Sequence, residues 1–213
     1  ITINAGVNDA VSLRGLSIEG GGVGQTGILF NTGASLTVEN CVIRHVTLDG
    51  IDFNPNASSS LSVSNSLVAD NGNNGITVEP SGSGTVTAVF NRVQSNNNSN
   101  DGIIVDGEIS TGTVKATVYD SVAAGNAGVG FYAITASGHA PTTLMLFHSV
   151  AANNVYGLFS FGLGATLRVA NSMVTGNTNG WLTGGGGAGL SYGNDALDGK
   201  SKHTEAPPRV SVT

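Results

Sequence analysis

One phrase, repeated about every 26 residues, limits what this chain can fold into. Its clearest copy runs from Ser60 to Val78, SLSVSNSLVADNGNNGITV. Alternating apolar residues (Leu61, Val63) lead to an asparagine, Asn65. Two more apolar residues (Leu67, Val68) follow, then a polar Asn/Asp/Gly stretch, then Gly75-Ile76-Thr77-Val78. The asparagine slot recurs as Asn40, Asn65, Asn91, Asp120, His148 and Asn171, at spacings of 25, 26, 29, 28 and 23 residues. The closing pair recurs as Gly50-Ile51, Gly75-Ile76, Gly102-Ile103, Gly130-Phe131, Gly157-Leu158 and Gly180-Trp181. A degenerate earlier copy has Gly15 in the asparagine slot and Gly27-Ile28 in the closing slot. Self-similarity at this period is the mark of a solenoid.

The apolar pattern inside each copy is that of strands. Leu36-Thr37-Val38, Leu61-Ser62-Val63 and Leu167-Arg168-Val169 alternate with period 2, and no stretch carries a sustained 3.6-residue stripe. Hairpins with Asn-Gly turns (Asn71-Gly72, Asn179-Gly180) do not account for three short apolar segments per repeat. One coil of three short strands does. Stacking such coils at about 4.8 Å puts equivalent residues in columns along the axis. The expected fold is therefore all-β: a single-stranded, right-handed parallel β-helix of about seven coils, with Asn40, Asn65, Asn91 and Asn171 as an asparagine ladder. An amide at a sharp turn can satisfy backbone groups and bond to the amide of the next coil, whereas Asp120 and His148 interrupt such a ladder. After Gly180 the pattern dissolves into Gly184–Gly187, and Leu190-Ser191-Tyr192 is read as a cover for the bottom of the helix. Residues 1–198 are assigned to the β-helix domain and 199–213 to a polar, mobile tail. With no cap visible at the N-terminal end, the first coil presents an exposed strand edge, open to stacking with another chain.

Composition removes several function classes. Only 10% of residues are charged, the formal net charge is −6, and eight Lys+Arg spread over the repeats form no basic stripe. Nucleic acid is thus an unexpected partner. No apolar run is long enough to span a membrane. The lone Cys41, beside Val42 and Ile43, reads as a small buried hydrophobe. Beginning at Ile1 without an initiator Met or signal peptide, the chain reads as a processed or trimmed form that has lost its targeting segment. The composition suits a secreted, periplasmic or cell-envelope protein.

Copies of the form L-x-V-x-N-S-x-V … N-x-x-x-G-I-x-V resemble those of bacterial right-handed parallel β-helix repeat proteins of the pectin-lyase-like superfamily. The closing Leu190-Ser191-Tyr192-Gly193-Asn194 is similar to the end of small secreted members of unknown function. The resemblance spans about Val11 to Asp198. It implies a substrate groove along the strand after the polar Asn/Asp/Gly stretch, whose length varies between copies, but a fold shared by lyases, hydrolases, esterases, epimerases and adhesins does not choose among them.

The matching outward column is Leu29, Asp52, Thr77, Ile104, Tyr132, Phe159 and Leu182, with Asp49, Asn74 and Asp101 just before the glycines. Asp49, Asp52 and Asp101 are the candidate catalytic carboxylates. Two coils apart they would lie roughly 9.6 Å from one another, near the separation used by inverting glycosidases. A tighter cluster would suit calcium; no motif specifies it, and no cofactor is expected. The plainer reading is ordinary turn chemistry, since Asp before Gly is common in turns. The strings that mark polygalacturonases (Asn-Thr-Asp, Asp-Asp, Gly-His-Gly, Arg-Ile-Lys) do not occur, and Gly138-His139-Ala140 lies in a turn on another side. His45, beside Arg44, is expected to stack on Asp70 as a surface ion pair. Four scattered His and one Cys give no metal spacing.

Lower down, Ile104, Tyr132, Phe159 and Leu182 form an apolar outward column, and Phe90, Tyr119 and Phe147 are assigned to a second one. Contiguous apolar surface marks protein contact, a sugar platform, or a face covered by a neighbouring loop. The leading expectation is a non-enzymatic protein binding a glycan or a protein partner along its flank. The alternatives are a polysaccharide lyase or glycoside hydrolase using the outer carboxylates, and a structural module that self-associates through the apolar flank or the uncapped end.

Overall fold

The computed structural model describes residues 1–199, and every regular element in it is a β-strand. No helix among them is long and apolar enough to cross a membrane. The strands form three rows of parallel neighbours stacked along one axis. The first row runs Thr2–Asn4, Ile28–Thr32, Ile51–Phe53, Ile76–Val78, Ile103–Asp106, Val129–Ile134, Tyr156–Phe161 and Asn179–Gly184, an 8-stranded sheet. The second and third rows together make a 14-stranded sheet, because Ser59–Ala69 and Thr85–Asn96 pass through the corner between them without a break. Eight rungs enclose about seven turns, as the repeat count predicts.

Alternation decides which side chains enter the core. Ile28/Phe30, Ile51/Phe53, Ile76/Val78 and Ile103/Val105 point inward from the first row, and Leu36/Val38, Leu61/Val63 and Leu144/Leu146 from the second. Stacked equivalents touch along the axis: the Phe30 and Phe53 rings lie 4.6 Å apart at 22°. Truncating Phe53 to Ala would open a cavity at a cost of about 3–5 kcal/mol.

Each coil turns two sharp corners around the third row. The first holds Gly15, Asn40, Asn65, Arg92, Asp120, His148 and Asn171, all with φ between 49° and 66°. The left-handed region disfavours most side chains but tolerates Asn and Asp, which explains the asparagines of that slot. They are not the ladder. Asn40, Asn65 and Asn171 are exposed and do not bond to one another. Asn91 is not at the corner at all: it pairs with Ser64 and Tyr119 inside a strand, and Arg92 takes the turn, its Nε donating to Asn65 Oδ1 at 2.6 Å. Asp120 and His148 compensate each other, with His148 Nδ1 2.6 Å from Asp120 Oδ1.

The hydrogen-bonded ladder stands one residue beyond the second corner, at Asn71, Asn98, Asn126, Asn154 and Asn177, all buried. Each Nδ2 donates to the Oδ1 of the next coil, at 3.0, 2.9, 3.0 and 3.0 Å down the column. The same oxygens accept backbone N–H groups from Asn71, Asn98, Asn126 and Asn154. A parallel column follows the first corner: Ser121 and Ser149 receive the N–H of Val93 and Ser121, and Ser66 receives that of Cys41. Buried Cys41 thus occupies a serine position, with Sγ 3.3 Å from the Glu39 carbonyl oxygen.

At the bottom the helix continues further than the sequence pattern. Ala188–Ser191 pairs with Ala165–Ala170, and Ala196–Gly199 with Met173–Asn177, so Leu190-Ser191-Tyr192 belongs to a further rung. Trp181 packs partly buried against the core. The predicted tail lies outside the described residues from residue 200 onward.

Candidate functional site

The outer face of the first row is a straight track along the axis. Its register joins Leu29 to Asp52, Asp52 to Thr77, Thr77 to Ile104, Ile104 to Tyr132, Tyr132 to Phe159 and Phe159 to Leu182, as the repeat predicts. Two residues further along each strand a second outward column carries Glu79, Asp106, Ile134 and Phe161: Val78 pairs with Val105, and Asp106, Ile134 and Phe161 pair in turn. Glu79 and Asp106 escaped the sequence reading, although each directly follows a Gly-apolar-x-apolar closing phrase (Gly75–Val78 and Gly102–Val105). Period 2 applied one step past the strand would have found them.

The three predicted carboxylates part company. Asp49 (8% exposed) has both oxygens occupied: Oδ1 accepts from Asn73 Nδ2 and Asn74 N–H at 2.7 and 3.0 Å, and Oδ2 from the Thr77 hydroxyl at 2.7 Å. Asp101 (5% exposed) accepts the Val129 N–H at 2.6 Å. Both cap the turn of a neighbouring coil. Asp52 alone is free, and its buried Oδ1 has no hydrogen-bond partner among the described residues.

Among the described residues no cation compensates this half of the track. Burial, with Asp49 adding repulsion, pushes the Asp52 carboxyl up to about 6. Burial, then the charges of Asp52, Asp106 and Asp49, pushes Glu79 up to about 7. Burial also raises Asp101 and Asp106, partly offset by the N–H bonds from Val129 and Glu108. The ion pairs of the described residues, Arg14–Glu39, Arg44–Glu19, His45–Glu19 and His148–Asp120, all lie elsewhere. Among the described residues no three His, Cys, Asp or Glu side chains converge to hold a metal ion.

Further down, the face becomes apolar. The Tyr132 and Phe159 rings are parallel within 2° at 4.9 Å, Tyr156 lies 5.8 Å from Phe159, and Phe161 meets Phe159 edge-on at 5.8 Å. Tyr132 and Phe159 cover each other's faces and turn ring edges outward. Burial, and then the charges of Asp101, Glu108 and Asp106, raises the Tyr132 phenol, so it stays a neutral donor. Tyr156 and Phe161 join a cluster that the sequence reading limited to Tyr132 and Phe159.

The second predicted aromatic column is only partly formed. Phe90 pairs with Val118 and is fully buried, because Arg92 rather than Asn91 makes the corner and the whole strand is read one residue out of phase. Asn91 takes the outward place beside Tyr119, with its buried Oδ1 unpartnered among the described residues. Tyr119 and 44%-exposed Phe147 are true neighbours. His45 does share a corner column with Asp70, but its ion pair is made with Glu19 of the preceding coil, whose other oxygen holds Arg44 Nε at 3.0 Å. The cleft beside it, of about 700 Å³, is lined by Glu19, His45, Thr47, Asp70, Asn97 and Ser99.

A family model described as a right handed beta helix region matches residues 1–141. Neither comparison with curated proteins nor comparison with solved structures yields a match.

Proposed function

This chain belongs to the right-handed β-helix family, and on that premise we propose that it is a secreted or cell-envelope protein that binds a glycan along the outer face of its first row. One observation carries the reading: carboxyl groups (Asp52, Glu79, Asp106) adjoin apolar and aromatic edges (Ile104, Tyr132) on consecutive rungs of one straight track, with Thr77 buried beneath them. Sugars offer hydroxyls to the first set and C–H faces to the second, the mixture of a few polar groups with apolar lining that suits ligand sites.

Calorimetry at pH 5 with cellohexaose and xylohexaose tests this. Binding of either that weakens at least about tenfold in Glu79→Ala and in Tyr132→Ala supports the site, a loss of about 1.4 kcal/mol in each. Binding unchanged in both variants removes it. Enzymatic use of the same face is favoured by a separate observation: Asp52 and Glu79 are half-buried carboxyls on adjacent rungs, both raised by burial above the usual carboxylate range, the shift that general acids use. In that reading Glu79 is the acid and Asp52 the base of a glycoside hydrolase. New reducing ends that disappear in Glu79→Gln would establish turnover, and their absence over a panel of polysaccharides leaves binding alone.

A further inference from the structure

The upper part of the track combines three features. Asp52 stands on one rung, Glu79 on the next and Asp106 on the one after, with Glu79 and Asp106 in register neighbours' positions about 4.8 Å apart. One Asp52 oxygen is buried with no donor among the described residues. Among the described residues the charged groups acting on the pair are acidic: Asp49 on both carboxyls, and Asp52 and Asp106 on Glu79. The strand on the other side, Ile28–Thr32, contributes no titratable group.

Resting on the glycan reading, we propose that this track is operated by protons: an uncharged saccharide laid over Asp52 and Glu79 is held while both carboxyls are protonated and is released when they ionise. The physical reason is desolvation. An uncharged ligand covering these groups removes the remaining water from them, which disfavours carboxylates and favours neutral carboxyls. Binding therefore takes up protons, and by linkage it weakens as pH rises. The protonated groups also gain a function, since each carboxyl O–H can donate to a sugar oxygen. With Glu79 titrating near 7 and Asp52 near 6, the change falls around neutral pH, and the affinity at pH 8 is expected to be at least about tenfold below that at pH 5.

The test is calorimetry with cellohexaose and xylohexaose at pH 5 and pH 8, for the full chain and for the Asp52→Asn, Glu79→Gln double variant, whose amides cannot ionise. The expected result is the tenfold loss in the natural chain, proton uptake seen as a buffer-dependent heat near pH 7, and a pH-independent affinity in the variant. Equal affinity at both pH values, or the same slope in the variant, overturns the proposal. Failure of both cellohexaose and xylohexaose to bind at either pH brings down the glycan reading instead, and the proton-operated pair is then decided by melting. The stability of the natural chain should fall as pH rises from about 4 to about 7, because the unfolded carboxyls ionise near 4 while the folded ones keep their protons. A melting point with that slope in the natural chain, and a shallower one in the double variant, where Asp101 and Asp106 remain, upholds the pair; identical slopes overturn it.

Discussion

Two asparagine columns flank the third row, and they are held by different physics. At the first corner, Asn40, Asn65 and Asn171 are exposed, adopt the left-handed conformation, and share their slot with Gly15, Arg92, Asp120 and His148. What that slot selects is a backbone angle, and any residue that tolerates it serves. Beyond the second corner, Asn71, Asn98, Asn126, Asn154 and Asn177 are buried, and each accepts and donates within a continuous chain. Only an amide does both through one planar group, so five successive described coils keep asparagine without exception. Variation in a column reports how many interactions it carries.

Three substitutions would break or sharpen that contrast. The largest effect is expected for Asn126→Ala, which strands the buried backbone N–H of Asn98 and one N–H of its Nδ2, the other keeping Ser95 Oγ at 3.2 Å. Two unpaired donors should cost about 2–6 kcal/mol in chemical denaturation; a loss below about 1 kcal/mol would mean that water replaces the amide and that the two columns differ little. Next comes Gly102→Ala. A Cβ there would lie 2.6 Å from the Gly130 carbonyl oxygen and 2.9 Å from Asn126 Nδ2, and overpacking of this kind costs about 1–3 kcal/mol. The same variant combined with Asn126→Ala should cost less than the sum, since one clash is removed. Smallest is Asn65→Gly, at the exposed corner, where a change within about 0.5 kcal/mol is expected because glycine adopts the left-handed angle freely. A large loss there would show that the Arg92–Asn65 hydrogen bond, and not the angle, holds that corner.

Much of the fold was legible because the repeat is written in side-chain alternation. Gly-apolar-x-apolar placed Asp52, Thr77, Ile104, Tyr132, Phe159 and Leu182 on one outward line, and the pairing register agrees at every step. The ladder was also present in the sequence, as the second asparagine of the repeated phrase, three or four residues before its closing glycine. Its partner is the glycine: Cβ atoms at Gly102, Gly130 and Gly157 would strike Asn126, Asn154 and Asn177. Choosing the first asparagine instead put the ladder at the wrong corner, because both slots are polar and follow apolar residues.

Sequence alone thus determined the coil, its period and which residues share a column, since these depend on local alternation and on spacing along the chain. Tertiary structure decided three things that depend on neighbours from other coils. It moved the corner from Asn91 to Arg92 and so turned Phe90 inward, because pairing with Ser59–Ala69 and Thr113–Tyr119 fixes the phase of a strand that its own alternation leaves open by one residue. It committed Asp49 and Asp101 to capping backbone N–H groups about one coil away, which no local pattern announces. And it left Asp52 beside Glu79 with no cation among the described residues, because burial and counter-charge are properties of the stacked face rather than of either residue.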